Sequence, residues 1–214
     1  MEKQKLVIFG VGSFAPEVVD LADETGAYEV VAFVDSRKSN EARQFLLDRP
    51  IVSMEEAAKR FSSCLAVCAL GTTRRRELIE LAVQKGFAFA TIVHPAAQVS
   101  RRSTVGSGSI ISAGVVVASH TAIGRHVLLN RGCLIGHHVT IGDYVTVSPG
   151  ANIAASVAIG EGAYVGMGAI VLDHLRIGAR SVIGAGAVVT RDVPECVQVM
   201  GVPAKIVKEN VMGL

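Results

Sequence analysis

From Val93 onward the sequence repeats every six residues, and this period constrains the fold more than any other feature. Stepping by six from Val93 passes through Val99, Val105, Ile111, Val117, Ile123, Leu129, Ile135, Ile141, Val147, Ile153, Ile159, Val165, Val171, Ile177, Ile183 and Val189; every position is Val, Ile or Leu. A second register, four residues behind the first, runs from Ala97 through Val115, Val127, Cys133 and Val139 to Val193. It is nearly all small or β-branched. Glycine follows the first register at 106, 124, 136, 142, 160, 166, 178 and 184. An ordinary strand repeats every two residues and an amphipathic helix about every 3.6. A hexad that keeps its phase from 93 to 189 is the signature of a parallel β-helix. Composition agrees: 22 glycines, 5% aromatic residues and no Trp suit a narrow, repetitive interior.

The first 92 residues have a different grammar. Strands are expected at 6–10, 29–36, 63–71 and 87–93, alternating with helices at 16–26, 55–60 and 72–86. Pro16 sits in the first turn of the first helix and Gly26 stops it. Thr72 or Thr73 is expected to cap the last helix, and Gly86 to close it. Alternating strands and helices imply a parallel sheet, and four strands make half of a doubly wound, Rossmann-type fold. The expected division is an α/β domain over 1–92, a β-helix over 93–194 and a tail over 195–214.

Other classes are disfavoured. With 50% hydrophobic residues and 19% charged, the chain is globular rather than disordered. No stretch approaches the roughly 20 apolar residues of a membrane span, and the start lacks a signal peptide's apolar core, so a cytoplasmic protein is expected. A net charge of +2 does not argue for nucleic acid. Cys64 and Cys68, in SSCLAVCAL, and Cys133 read as buried small apolar residues rather than metal ligands. No metal site is expected.

Gly10-Val11-Gly12-Ser13-Phe14-Ala15 follows a strand and opens a helix, and Asp35 ends the next strand. That spacing mimics a dinucleotide fingerprint, whose backbone N–H groups hold a pyrophosphate. Tight strand–helix packing alone would give the same pattern, and the missing second half of a Rossmann sheet argues against NAD. The six histidines are His94, beside Pro95 at the domain junction and read as structural, and His120, His126, His137, His138 and His174 in the repeats. None of the repeat histidines occupies an inward register, so all are expected to face outward.

The repeats resemble the left-handed β-helix of the hexapeptide acyltransferases, and Gly201-Val202-Pro203-Ala204-Lys205 resembles their G-x-P-A-K ending. The glycine turn, the strand reaching Asp35, ALGTTRRR, IGHHVTIGDYVTVSPGANIA and GVPAK occur in the order of the sialic acid O-acetyltransferase NeuD family, which includes PglD-like nucleotide-aminosugar N-acetyltransferases. In that family three hexads make one triangular coil, so equivalent positions recur every 18 residues. His120, His138, Ser156 and His174 then stack on one edge, His137 lies over Ser119, and His126 over the position of Tyr144.

The resemblance implies a homotrimer that moves acetyl from acetyl-CoA to the amino group of a nucleotide-linked aminosugar held by the N-terminal domain. His137 takes the position of the general base. Its neighbour His138 replaces the carboxylate that relatives carry there, and the two are the candidate catalytic residues. Coenzyme contacts carry over to Thr146, Ala155, Met167 and Ala185. Acceptor contacts carry over to Gly10, Gly12, Ser13, Phe14, Asp35, Gly71 and Thr72, with Arg74 as a phosphate partner. The alternatives are O-acetylation of a sugar of the sialic-acid type and a non-catalytic trimeric scaffold.

Overall fold

The computed structural model describes residues 2–36 and 44–214. The N-terminal unit contains β1 (Gln4–Phe9), α1 (Ala15–Glu24), β2 (Tyr28–Val34), β3 (Phe45–Leu46), β4 (Arg49–Val52), α2 (Met54–Arg60), β5 (Leu65–Cys68), α3 (Arg75–Gln84) and β6 (Ala88–Phe89). They form one sheet in the order β3-β4-β2-β1-β5-β6, parallel except for β3, which folds back on β4. The central strand β1 is a continuous apolar run because both its faces are covered. Leu6 and Ile8 pack with Val18 and Ala22 of α1. Val7 and Phe9 pack with Ala57 of α2 and Ile79 of α3.

Three local expectations change. The β3–β4 hairpin has no counterpart in the sequence reading. Helix α3 starts at Arg75, and neither threonine caps it, because the Thr73 hydroxyl bonds Leu214 instead. The single strand expected over 87–93 is two. Ala88–Phe89 ends the α/β sheet, and β7 (Ile92–Val93) pairs with Ile110–Ile111 as the first strand of the β-helix.

From β7 to β23 (Val188–Val189), seventeen two-residue strands start every six residues without interruption. Through β20 (Ile170–Val171) each pairs in parallel with the strand 18 residues on, as Ile110 with Leu128 and Leu128 with Thr146, whereas in the last coil Val182 pairs with Gln198. The result is a triangular prism whose inward residues, such as Ile111, Leu129, Val147 and Ile183, are fully buried. At the open end of the prism burial is incomplete: Val93 is 37% exposed, and Val99 and Val105 are half-buried. The hexad glycines permit the close stacking of coils: a Cβ on Gly142 would stand 2.7 Å from the backbone nitrogen of Glu161 in the next coil. At the other end β24 (Gln198–Met200) extends one sheet, and β25 (Lys205–Lys208) pairs antiparallel to it.

The three faces differ in what they turn outward. One presents Ile92, Ile110, Leu128 and Thr146, all buried beneath the N-terminal unit; this is the docking face. The next presents Val116, Leu134 and Ile170, each 36–44% exposed; this is the apolar face. The third presents Ala122, Thr140 and Ala158, small and exposed. Burial of a large aliphatic side chain stabilises by roughly 1.5–3 kcal/mol, so Ile92, Ile110 and Leu128 each contribute to holding the two units together.

Candidate active site

The glycine turn lies where the fingerprint reading expects it, between β1 and α1. Gly10 has φ +111°, and a Cβ there would press on the carbonyl of Ala69, so this position tolerates only glycine. Gly10, Gly12 and Asp35 line a pocket of about 240 Å³ with Val34, Ser36, Leu70 and Leu78. Ser13 is exposed and Phe14 packs on the core at the start of α1; neither lines the pocket.

Ser36, Leu70 and Leu78 are shared with a larger cleft of about 830 Å³. Its walls include Thr72, Thr73 and Arg74 from the turn before α3, Tyr144, Glu161 and Arg180 from a prism corner, and Met212 from the tail. Gly71 lies at its rim, its carbonyl accepting from Thr146. Three arginines reach this cleft. Arg76 pairs with Glu80 and Glu161, and Arg180 with Glu195. Arg74 is exposed and has no charged partner among the described residues.

Beneath the cleft lies a residue that the sequence reading passed over. Arg75 is 3% exposed. Its guanidinium donates to the carbonyls of Thr72, His126, Tyr144 and Val145 and to the hydroxyl of Thr146. Burial lowers it to about 10. It joins the lip of the cleft to the prism corner. Its signal was present in Arg75, Ile79 and Ala82, the buried stripe of α3, but an arginine in such a stripe reads as a misfit rather than an anchor.

That corner carries His126, stacked on Tyr144 at 5.3 Å and met edge-on by Phe89 at 4.9 Å. The expectation that every repeat histidine faces outward holds relative to the prism axis, but the N-terminal unit covers His126, which is 8% exposed. Burial, with help from Arg75 and Arg125, pushes its imidazole down to about 4. Gly108 beneath it has φ +74° and leaves the ring its room. Thr146 is likewise sealed at the junction, 1% exposed, between Arg75 and Gly71, so its side chain offers no surface to a coenzyme. His94 joins the units as a structural residue, pairing through Nε2 with Glu24 and accepting the Ala96 N–H through Nδ1. Cys64, Cys68 and Cys133 are buried free thiols; burial pushes Cys68 to about 11 and Cys133 to about 12. Among the described residues no group of three His, Cys, Asp or Glu side chains could hold a metal ion.

His137 and His138 lie on the corner between the apolar and small-residue faces, opposite the docking face. Both are exposed, and their Nδ1 atoms are 2.9 Å apart. His138 stacks on His120 with centroids 5.0 Å apart and planes 7° apart, as the 18-residue step requires. Ala155 is one coil above His137 on this corner. Met167 and Ala185 follow each other on the corner at the other side of the apolar face, where both are exposed. Within one chain, then, the cleft and the imidazole pair occupy different corners, and no residue of the His137 corner lines the cleft.

Comparison with known proteins agrees with both halves. Residues 5–80 match the PglD N-terminal domain, and residues 120–155 and 156–191 match the bacterial transferase hexapeptide (six repeats). A variant of perosamine N-acetyltransferase from Caulobacter crescentus, solved in complex with CoA and GDP-perosamine, is 33% identical. The similarity covers 94% of this chain and 96% of that one, with a TM-score of 0.87. The chain belongs to the PglD-like sugar acetyltransferases. The acetyltransferase domain of PglB from Neisseria gonorrhoeae FA1090 is 29% identical over 96% of this chain and 100% of that one, with a TM-score of 0.87. WeeI from Acinetobacter baumannii AYE is 26% identical over the same shares, with a TM-score of 0.86. No curated protein sequence matches the chain. Membership settles the handedness of this PglD-like prism as left-handed and makes the chain an acetyltransferase acting on a sugar.

Proposed function

We propose that this enzyme transfers the acetyl group of acetyl-CoA to the amino group of a nucleotide-linked aminosugar, with His137 as general base. The observation that carries the reading is the end-to-end similarity to an enzyme solved with CoA and GDP-perosamine. On this reading the parts divide as follows. The glycine turn and Asp35 take the nucleoside end of the acceptor, and uncommitted Arg74 meets its diphosphate. The cleft then leads the sugar along the Tyr144 corner. Acetyl transfer breaks the thioester C–S bond and forms a C–N bond. The amine must lose a proton as its nitrogen attacks, and Nε2 of His137 accepts it.

Cleft and base are completed by a second copy. The apolar face, with Val116, Leu134 and Ile170 open to solvent, is the surface that another prism covers, giving a homotrimer with sites between subunits. Ala155, Met167 and Ala185 flank this face, so the coenzyme lies along the same seam. Among the described residues no helix is long and apolar enough to cross a membrane, and we infer that the enzyme works where acetyl-CoA is made, in the cytoplasm.

The test is acetyl-CoA turnover with UDP-, GDP- and dTDP-linked aminosugars, each beside its hydroxyl analogue. Release of CoA with one aminosugar and not with its hydroxyl counterpart is the expected result. Preference for the hydroxyl sugar would convert the reading to O-acetylation. No turnover with any acceptor, in a trimer that binds acetyl-CoA, would leave only a scaffold.

A further inference from the structure

The departure at position 138 has a structural consequence. The Nδ1 atoms of His137 and His138 are 2.9 Å apart and their rings are perpendicular. Two imidazole nitrogens at that distance share one proton, so one ring donates and the other accepts. A ring that is to accept a proton at Nε2 must carry its own proton on Nδ1, because the hydrogen bond made by one nitrogen sets the state of the other. His137 is therefore the donor and His138 the acceptor.

His138 is itself held. Its backbone has φ +56°, its N–H donates to the carbonyl of Ser119 at 3.1 Å, and its ring lies flat on His120. His120, at φ +59°, has Nδ1 3.0 Å from the Ser119 hydroxyl. Both side chains leave left-handed corners one coil apart, which makes the stack a product of the 18-residue step.

We propose that His138 is a positioning residue for the base, resting on the reading of His137 as that base: its Nδ1 accepts the Nδ1–H of His137 and keeps the Nε2 lone pair aimed at the acceptor amine, while His120 braces His138 from the coil below. A neutral acceptor orients the base without adding negative charge. The same hydrogen bond persists when His137 becomes a cation during the reaction, since Nδ1–H remains the donor in both states.

The experiment compares His138→Ala, His138→Asn, His120→Ala and His137→Ala with the wild-type trimer. Asn keeps a neutral acceptor and tolerates a left-handed corner. Misplacing a catalytic group by about 1 Å costs on the order of 10²-fold. His138→Ala is therefore expected to lower kcat by about 10- to 100-fold with both KM values held, His138→Asn to restore most of it, and His120→Ala to cost less than His138→Ala. Imidazole ¹⁵N spectra should show His137 protonated at Nδ1 in the wild type and in His138→Asn, and moving toward the Nε2–H form in His138→Ala. Loss of packing alone would not move that signal in this way. If His137→Ala is inactive but His138→Ala keeps full kcat, or folded His138→Asn is as slow as His138→Ala, the positioning role is wrong and the base assignment stands. A fully active His137→Ala enzyme overturns the base assignment itself.

Discussion

Two corners of the prism carry histidines on the same backbone. His126 has φ +55° and His138 has φ +56°, and each stacks on the ring 18 residues away from it. Their surroundings nevertheless differ completely. His126 lies under α3, between Tyr144 and Phe89, with its Nδ1 buried and unpartnered and the ring held neutral. His138 stands in the open and bonds His137. The repeat builds identical brackets at every corner, and what covers a corner decides whether its histidine is packing or chemistry. Arg75 marks the covered corner, because its guanidinium donates to the carbonyls of His126 and Tyr144 there and adds a second donor to that of Val145.

The strongest way to break the contrast is to remove that anchor. Arg75→Met takes the guanidinium donor from the carbonyls of His126 and Tyr144, each worth about 1–3 kcal/mol. We expect a loss of at least about 2 kcal/mol in denaturant unfolding, with faster hydrogen exchange in α3 and at the cleft lip. Arg75→Lys should recover only part, since an ammonium cannot span the same set of acceptors. Unchanged stability in Arg75→Met would show that apolar docking alone holds the units together.

Placing one substitution on both corners gives a smaller but cleaner comparison. His126→Asn removes a buried ring between two aromatic partners and should cost about 2 kcal/mol. His138→Asn removes an exposed ring at the same backbone angle and should stay within about 0.5 kcal/mol. Equal shifts in melting temperature would mean that the two corners are not distinguished by burial.

The last comparison is one of pH. His126 titrates at about 4 in the folded chain against 6.5 in its ordinary state, so the unfolded chain binds the proton first. Its contribution is complete above pH 6.5 and is lost as pH falls toward 4. Arg75 and Arg125 oppose the proton there and Asp143 favours it. Wild-type stability should therefore fall faster than that of His126→Asn between those limits, measured as melting temperature against pH. Parallel curves would show that His126 is protonated as readily when folded as when unfolded.

Much of this was legible in the residues. Seventeen apolar positions in one phase imply a parallel β-helix, and the 18-residue coil implied by the family resemblance correctly stacks His120 on His138 and His126 on Tyr144. The glycine turn is where its spacing places it. Illegible were Arg75, the burial of Thr146 and the cleft walls from Tyr144, Arg180 and Met212, because each depends on which side of the prism the first domain packs against. A trace of that choice exists in Ile92, Ile110 and Leu128, outward positions that are large and apolar at 18-residue intervals, but Val116, Leu134 and Ile170, interrupted by Asn152, leave a similar trace on the next face. Two faces thus present similar apolar stripes, and only the docked domain tells them apart.

The sequence by itself determined the period, the prism and the half-sheet before it, because hydrophobic periodicity is a local property that a chain states residue by residue. Tertiary structure alone decided which face is covered, which histidine is silenced and which arginine is buried as an anchor. Those outcomes depend on desolvation and on distances between residues far apart in the chain, and neither quantity exists until the two units have met.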